Sequence, residues 1–257
     1  MTASPRTLSA SSALAALALL AACSSAAGEQ PARAGAAVTA RTDAATGPIV
    51  VELFTSQGCS SCPPADRVLS RLVHDGKVGE RAVVPLAFHV DYWNDLGWAD
   101  PFSRAAWSDR QRSYGAAFGD GRIYTPQLVV GGRAHVLGSD AAAIRARVAA
   151  TPAPALLDAT ITWSARTATV SATAPAGADV YVAIYEDDVT TAVSRGENAG
   201  ASLRNDHIVR RLERVAAAGH DGKVEVALDP SWQHLGAVAI AQGRDRVITA
   251  SRALARR

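Results

Sequence analysis

The feature that most constrains this chain is Cys59-Ser60-Ser61-Cys62, set between an apolar run and a pair of prolines. Ile49, Val50, Val51, Leu53 and Phe54 make a short apolar stretch, the pattern of a buried strand. Gln57 and Gly58 break it. Pro63 and Pro64 follow Cys62, and proline suits the first helical position because the N–H it lacks has no helical partner there. Val68, Leu69, Leu72 and Val73 then recur at helical spacing, and Asp75-Gly76 ends the helix. The run 81–91 reads as a second strand. Strand, helix, strand implies a parallel pair joined by a right-handed crossover. The two cysteines therefore fall between a strand end and a helix start.

That placement carries chemistry. Unpaired backbone N–H groups and the positive end of the helix dipole favour a thiolate at Cys59. A thiolate attacks disulfides, and Cys62, one turn on, is placed to resolve the mixed disulfide. Two other uses of the pair compete. A structural staple gains little from so small a ring, because stabilisation grows with loop length. Structural zinc needs four ligands and the chain has no second cysteine pair, although copper(I) accepts two thiolates with His89 or His135. A third reading is a binding module with an inert pair.

The only other cysteine is Cys23. Arg6 precedes an apolar segment, 8–22, too short to span a bilayer and rich in Ala and Leu, the pattern of an export signal. It ends in Leu20-Ala21-Ala22-Cys23, which resembles a bacterial lipobox and implies lipid attachment at Cys23. Residues 24–47, mostly Ala, Gly, Ser, Thr and Pro, read as a flexible tether. The expected location is therefore outside the cytoplasm: periplasmic and lipid-anchored, with Ser24 favouring the outer membrane, or secreted. Export also places the cysteines where disulfides persist. A net charge of +2 gives no reason to expect nucleic acid as a partner.

The remainder of 48–150 continues the alternating pattern. Residues 92–121 read as a helical insertion, with Asp100-Pro101 opening a helix that runs to Phe118. Residues 127–131 and 133–137 read as a hairpin through Gly131-Gly132, and Ser139-Asp140 caps a helix to Ala150. Thr125-Pro126 lies just before the hairpin, and only X-Pro bonds reach the cis form cheaply. Glu52, a carboxylate in a buried strand, is a candidate proton acceptor near Cys62. His89, Asp91, Tyr92, Trp93, Trp98 and Asp100 follow the second strand, where ligands gather in open sheets, and are candidates for a substrate groove. The stretch 151–155 reads as a Pro-rich linker, and 156–251 as short alternating strands of a small antiparallel sandwich. Arg195-Gly196-Glu197-Asn198, with Asn205-Asp206-His207, reads as a polar loop cluster there.

With strand order, C-x-x-C and Thr125-Pro126 assembled, residues 48–150 resemble the thioredoxin superfamily. That resemblance implies a cis bond at Pro126, beside the cysteines, that orients a substrate backbone with Thr125. Glu52 to Asp66, His89 to Trp93, Trp98, Asp100, Tyr124 to Gln127 and Arg195 to Asn198 further resemble the secreted family known as domain of unknown function 1223. The implied architecture is an α/β thioredoxin-like domain with a central mixed sheet and flanking helices, followed by a small antiparallel β-sandwich-like domain. Gly58 stands where thioredoxins carry Trp, and Ser60-Ser61 where they carry Gly-Pro. Pro63 biases Cys62 away from helical angles, so an irregular first turn is expected. The expected activity is extracytoplasmic thiol–disulfide exchange on a protein or small-molecule thiol or disulfide. No organic cofactor is expected, since no glycine-rich phosphate or dinucleotide loop follows a strand.

Overall fold

The computed structural model describes residues 45–257. The signal segment, Cys23 and most of the tether expected over 24–47 lie outside the described residues. The last residues of that tether are tied down: Leu156 N donates to Ala45 O at 3.0 Å and Gly47 N to Pro154 O at 2.9 Å.

Strand β1 (Ile49–Thr55) runs through the cysteine loop into helix α1 (Pro63–Asp75). Then come β2 (Lys77–Val78), β3 (Arg81–His89), α2 (Ala105–Phe118), the hairpin β4 (Gln127–Val130) and β5 (Ala134–Leu137), and α3 (Ala141–Ala150). The remainder is strand: β6 (Ala155–Leu156), β7 (Ala159–Trp163), β8 (Thr167–Thr173), β9 (Ala178–Glu186), β10 (Val189–Ala192), β11 (Ser202–Asn205), β12 (Ile208–Ala216), β13 (Asp221–Ala227), β14 (Leu235–Gly243) and β15 (Ile248–Leu254). The Asp140 carboxylate accepts from Ala142 N and Ala143 N, so the last helix is capped where its sequence indicates.

Most strands form one mixed sheet in the order β5-β4-β1-β3-β12-β9-β14-β15-β6, with β2 alongside β3. β1 is parallel to β3 and antiparallel to β4. The sequence suggests a break at 151–155 and a separate sandwich beyond it. Instead the sheet runs across that boundary. Ile208 of β12 pairs in parallel with Ala87 of β3, and Ala87 N donates to His207 O at 2.9 Å. Pro85, lacking an N–H, stops this ladder two residues earlier, and its carbonyl accepts instead from the His207 ring at 2.7 Å. The expected sandwich survives only as a layer. The antiparallel sheet β7-β8-β13 packs Val170 and Val226 against Val180, Val182, Ile184 and Ala237 of the large sheet.

The alternation of β1 divides the first half between two faces. Val51 and Leu53 pack on one face with Leu69 of α1, Leu128 and Ile144. Val50 and Phe54 pack on the other with Phe88, Trp107 and Tyr114, joined by Tyr185 and Ile240 from the later strands. Glu52 lies on this second face, away from α1. Its carboxylate is gripped by Arg110 at 2.6 and 2.8 Å and by the Tyr114 hydroxyl at 2.7 Å. Arg110 also reaches Gln242 at 3.1 Å, which ties α2 to β14. Glu52 is therefore a structural ion-pair partner and not the carboxylate beside Cys62.

Helix α2 starts later than Asp100-Pro101 suggests. Arg104 is its extended N-cap and makes no side-chain cap bond. The Asp100 carboxylate is already committed inside the protein, as described below.

Breaking a buried pair leaves an uncompensated charge. Arg110→Ala is expected to cost about 3–5 kcal/mol in urea unfolding, whereas Arg110→Met combined with Glu52→Leu should lie within about 1 kcal/mol of the parent.

Candidate functional site

The cysteine loop leaves β1 at the carboxyl edge of the sheet. Cys62 is the N-cap of α1 with φ −79° and ψ −38°. It is thus helical despite Pro63, because its carbonyl already accepts from Ala65 N at 2.8 Å and Asp66 N at 3.1 Å. Cys59 stands three residues ahead, with a Cα–Cα distance of 5.4 Å, and the two sulfurs lie at disulfide-bonding distance. Both residues are fully buried.

Cys59 carries the richer polar surroundings. The Thr125 hydroxyl donates to its Sγ at 3.4 Å, and Ser61 Oγ lies 3.2 Å from it. Thr125 in turn accepts from Trp93 Nε1 at 2.8 Å, which leaves its own proton free to face the sulfur. The Thr125-Pro126 peptide is cis. Hydroxyl donors aimed at a sulfur favour its thiolate form once the pair is reduced.

The aromatic segment after β3 has divided duties. Trp93 braces Thr125, while Trp98 Nε1 donates to Gln57 Oε1 at 3.3 Å. A Cβ on Gly58 would lie 3.2 Å from Trp93 Cβ, so a larger residue before Cys59 would need the aromatic segment to give by a few tenths of an ångström. Tyr92 is exposed and its hydroxyl donates to Gln111 at 3.1 Å. Asp91 accepts from Ser108, in α2. His89 departs from the expected groove: it is fully buried and pairs with Asp100 at 2.7 Å. Burial alone would lower the His89 pKa, but the Asp100 charge and hydrogen bond raise it. Asp100 is held low against burial by His89, Gln57 N and Phe102 N. Its Oδ2 receives Gln57 N at 2.8 Å, so this ion pair anchors the start of the cysteine loop. His135 points elsewhere, with its ring nitrogens on Tyr124 Oη at 2.8 Å and Asp120 at 2.9 Å. Among the described residues no three His, Cys, Asp or Glu side chains are grouped to hold a metal ion.

Two further features complete the site, an acid not singled out in the sequence and the contact made by the polar loop cluster that was. One is Asp66, four residues after Cys62 and so on the same face of α1. It is buried and accepts from Thr55 Oγ1 at 2.8 Å. Its signal is an acid within the apolar stripe Ala65, Val68, Leu69 and Leu72. The other is the cover on Cys59. The polar loop cluster belongs to a hairpin, β10 and β11, outside the large sheet. Asn198 Nδ2 donates to Gln57 O at 2.8 Å and to Cys59 O at 3.1 Å, and Ser60 N donates to Glu197 Oε2 at 2.9 Å. Gln57 Nε2 donates to Asn205 Oδ1 at 2.8 Å at the foot of the same hairpin.

Burial raises the Asp66 pKa from 3.8 to about 6, against the nearby His89 charge. Between those values the folded protein holds a proton that the unfolded chain has lost, so stability falls as pH rises through this window. Asp66→Asn keeps an oxygen for Thr55 and removes the charge. It is expected to stabilise the protein by up to about 3 kcal/mol at pH 7, at 1.36 kcal/mol per pKa unit. The gain should fade by pH 4 in paired urea titrations. A gain that does not change with pH would contradict this.

Comparison with known proteins supplies a family and no activity. No curated protein matches the chain. A crystal structure of a protein from Agrobacterium tumefaciens superposes with a TM-score of 0.64 at 30% identity, over 82% of this chain and 95% of that one. The family described as "Protein of unknown function (DUF1223)" matches residues 50–242. The chain belongs to that family.

Proposed function

We propose that this protein is an extracytoplasmic thiol–disulfide oxidoreductase and that its first half is a thioredoxin-like domain. The observation that carries the reading is the Trp93–Thr125–Cys59 hydrogen-bond chain beside a cis Pro126, at a cysteine pair on a strand-to-helix turn. The sheet order β5-β4-β1-β3, with β1 parallel to β3 and antiparallel to β4, supports the thioredoxin-like assignment. The Leu20-Ala21-Ala22-Cys23 signature supports export with a lipid anchor at Cys23.

In the reducing direction the Cys59 thiolate attacks a substrate disulfide. A Cys59–substrate S–S bond forms, the substrate S–S bond breaks, and the first substrate sulfur leaves as thiolate. Cys62, deprotonated by Asp66, then attacks the Cys59 sulfur and expels the second substrate thiolate. Two electrons pass from the dithiol to the substrate, and the two thiol protons end on the product thiols. The oxidising direction is the reverse. Asp66 suits the proton step because a carboxyl poised near neutrality both accepts and returns a proton.

The complete burial of Cys59 and Cys62 favours a second reading, a binding module whose pair is inert. Equilibration of residues 45–257 against glutathione and dithiothreitol, beside Cys59→Ser, separates the two. Exchange at a potential between roughly −120 and −270 mV is the expected result. A pair locked below about −300 mV, or exchanging only when unfolded, would leave the binding module standing.

A further inference from the structure

We infer that the hairpin Val189–Asn205 is a hinged cover on the cysteine pair, and that Asn198 and Glu197 are the latch that sets access to Cys59. This rests on the exchange reading above and adds its regulation. Four independent observations carry it.

The tip of the hairpin holds the cysteine loop mainly through the loop's backbone: Asn198 takes the carbonyls of Gln57 and Cys59, and Glu197 takes Ser60 N and the Ser60 hydroxyl. These contacts are hydrogen bonds to polar groups of the loop. The hairpin is also its own two-stranded sheet, and such a unit is marginal in isolation. Its closed position depends on what it touches. Both feet are left-handed turns at non-glycine residues, Asp188 with φ 58° and His207 with φ 49°. Such turns localise a change of chain direction to single residues. Finally, a cleft of about 360 Å³ separates β11 from α1, lined by Pro63, Asp66, Arg67, Ser202, Leu203 and Arg204. The hairpin is therefore seated at its tip and at Asn205, with space along its flank and Asp66 on the wall of that space.

The seat is shaped for the tip. Gly196 and Gly97 meet backbone to backbone, and a Cβ on Gly97 would lie 3.1 Å from Gly196 Cα. With the tip lifted, Ser60 N loses its partner and Cys59 O keeps only Cys62 N at 3.1 Å, so the loop presents one free donor and an acceptor with a free lone pair. An extended substrate strand needs such groups to pair with. The cover thus occupies hydrogen-bonding positions that a substrate would use.

The experiment uses residues 45–257 with the disulfide formed. Reduction by dithiothreitol passes two electrons to the Cys59–Cys62 bond as the reagent closes its own disulfide ring, and tryptophan fluorescence follows it. Asn198→Asp replaces the donor with an acceptor that faces two carbonyl oxygens, so it should drive the tip off. Reduction of this variant is expected to be faster by roughly tenfold or more, since each lost bond counts for several-fold. A cysteine-containing octapeptide should gain more than dithiothreitol does, because the larger reagent needs more of the cover removed. Glu197→Gln keeps an oxygen for Ser60 N but gives up the charge that strengthens the bond, so it should speed reduction by less than Asn198→Asp does. Equal rates for parent and Asn198→Asp, with unchanged circular dichroism, would overturn the cover while leaving the exchange reading intact. A pair inert in both folded proteins but reducible in urea would overturn both. Should Asn198→Asp prove unfolded, Asn198→Ala applies the same test by deleting the donor alone.

Discussion

Everything distinctive about this molecule follows from the short parallel splice between β3 and β12. One ladder contact, Ala87 to Ile208, with Ala87 N bonded to His207 O, makes two halves of the chain into one sheet. Pro85 and the left-handed turn at His207 both limit the splice at its N-terminal end. The hairpin that precedes β12 is thereby delivered to the carboxyl edge of β1 and β3, where the cysteine loop emerges. Without the splice, Asn198 and Asn205 have no reason to be near Gln57.

Polar burial does the fine positioning. The His89–Asp100 pair is fully enclosed, and a buried pair of this kind is weak evidence for stability. Its role here is placement: Asp100 fixes Gln57 N, and Gln57 in turn bridges Trp98 and Asn205. The cysteine loop is thus held from the aromatic segment on one side and from the hairpin on the other. The Glu52–Arg110 pair plays the same part for α2 on the opposite face.

Local signals in the sequence were legible where chain-local physics decides the outcome. The apolar run of β1, the prolines of α1, the Asp140 cap and the β4–β5 turn each act within a few residues, and each element forms close to where its signal lies. The region after 156 also reads correctly as strands, yet their grouping does not, because alternation says which face is buried and not which strand lies alongside. Glu52 was misplaced for a related reason. Its partner Arg110 is 58 residues away, and nothing near Glu52 says which face of β1 receives α2. Asp100 has the residue type of a helix cap but serves His89 and Gln57, where tertiary bonds outweigh a local preference. Asp66 was overlooked because one acid in a helix ordinarily faces water. The hairpin β10–β11 is polar and short, with no apolar periodicity to announce it, and its meaning lies entirely in what it touches.

The claim at the centre of this account is that Cys59 acts as a nucleophile in the folded protein. The most direct test is Cys62→Ser in residues 45–257, reduced and then exposed to glutathione disulfide in native buffer, with the product read by mass spectrometry. The Cys59 thiolate attacks one glutathione sulfur and expels the other as thiolate, and no second thiol remains to reverse the step. The account predicts one glutathione per chain on Cys59, with the Cys59→Ser counterpart modified far more slowly at Cys62. A Cys62→Ser protein that stays unmodified while folded, and takes glutathione only in urea, would contradict it.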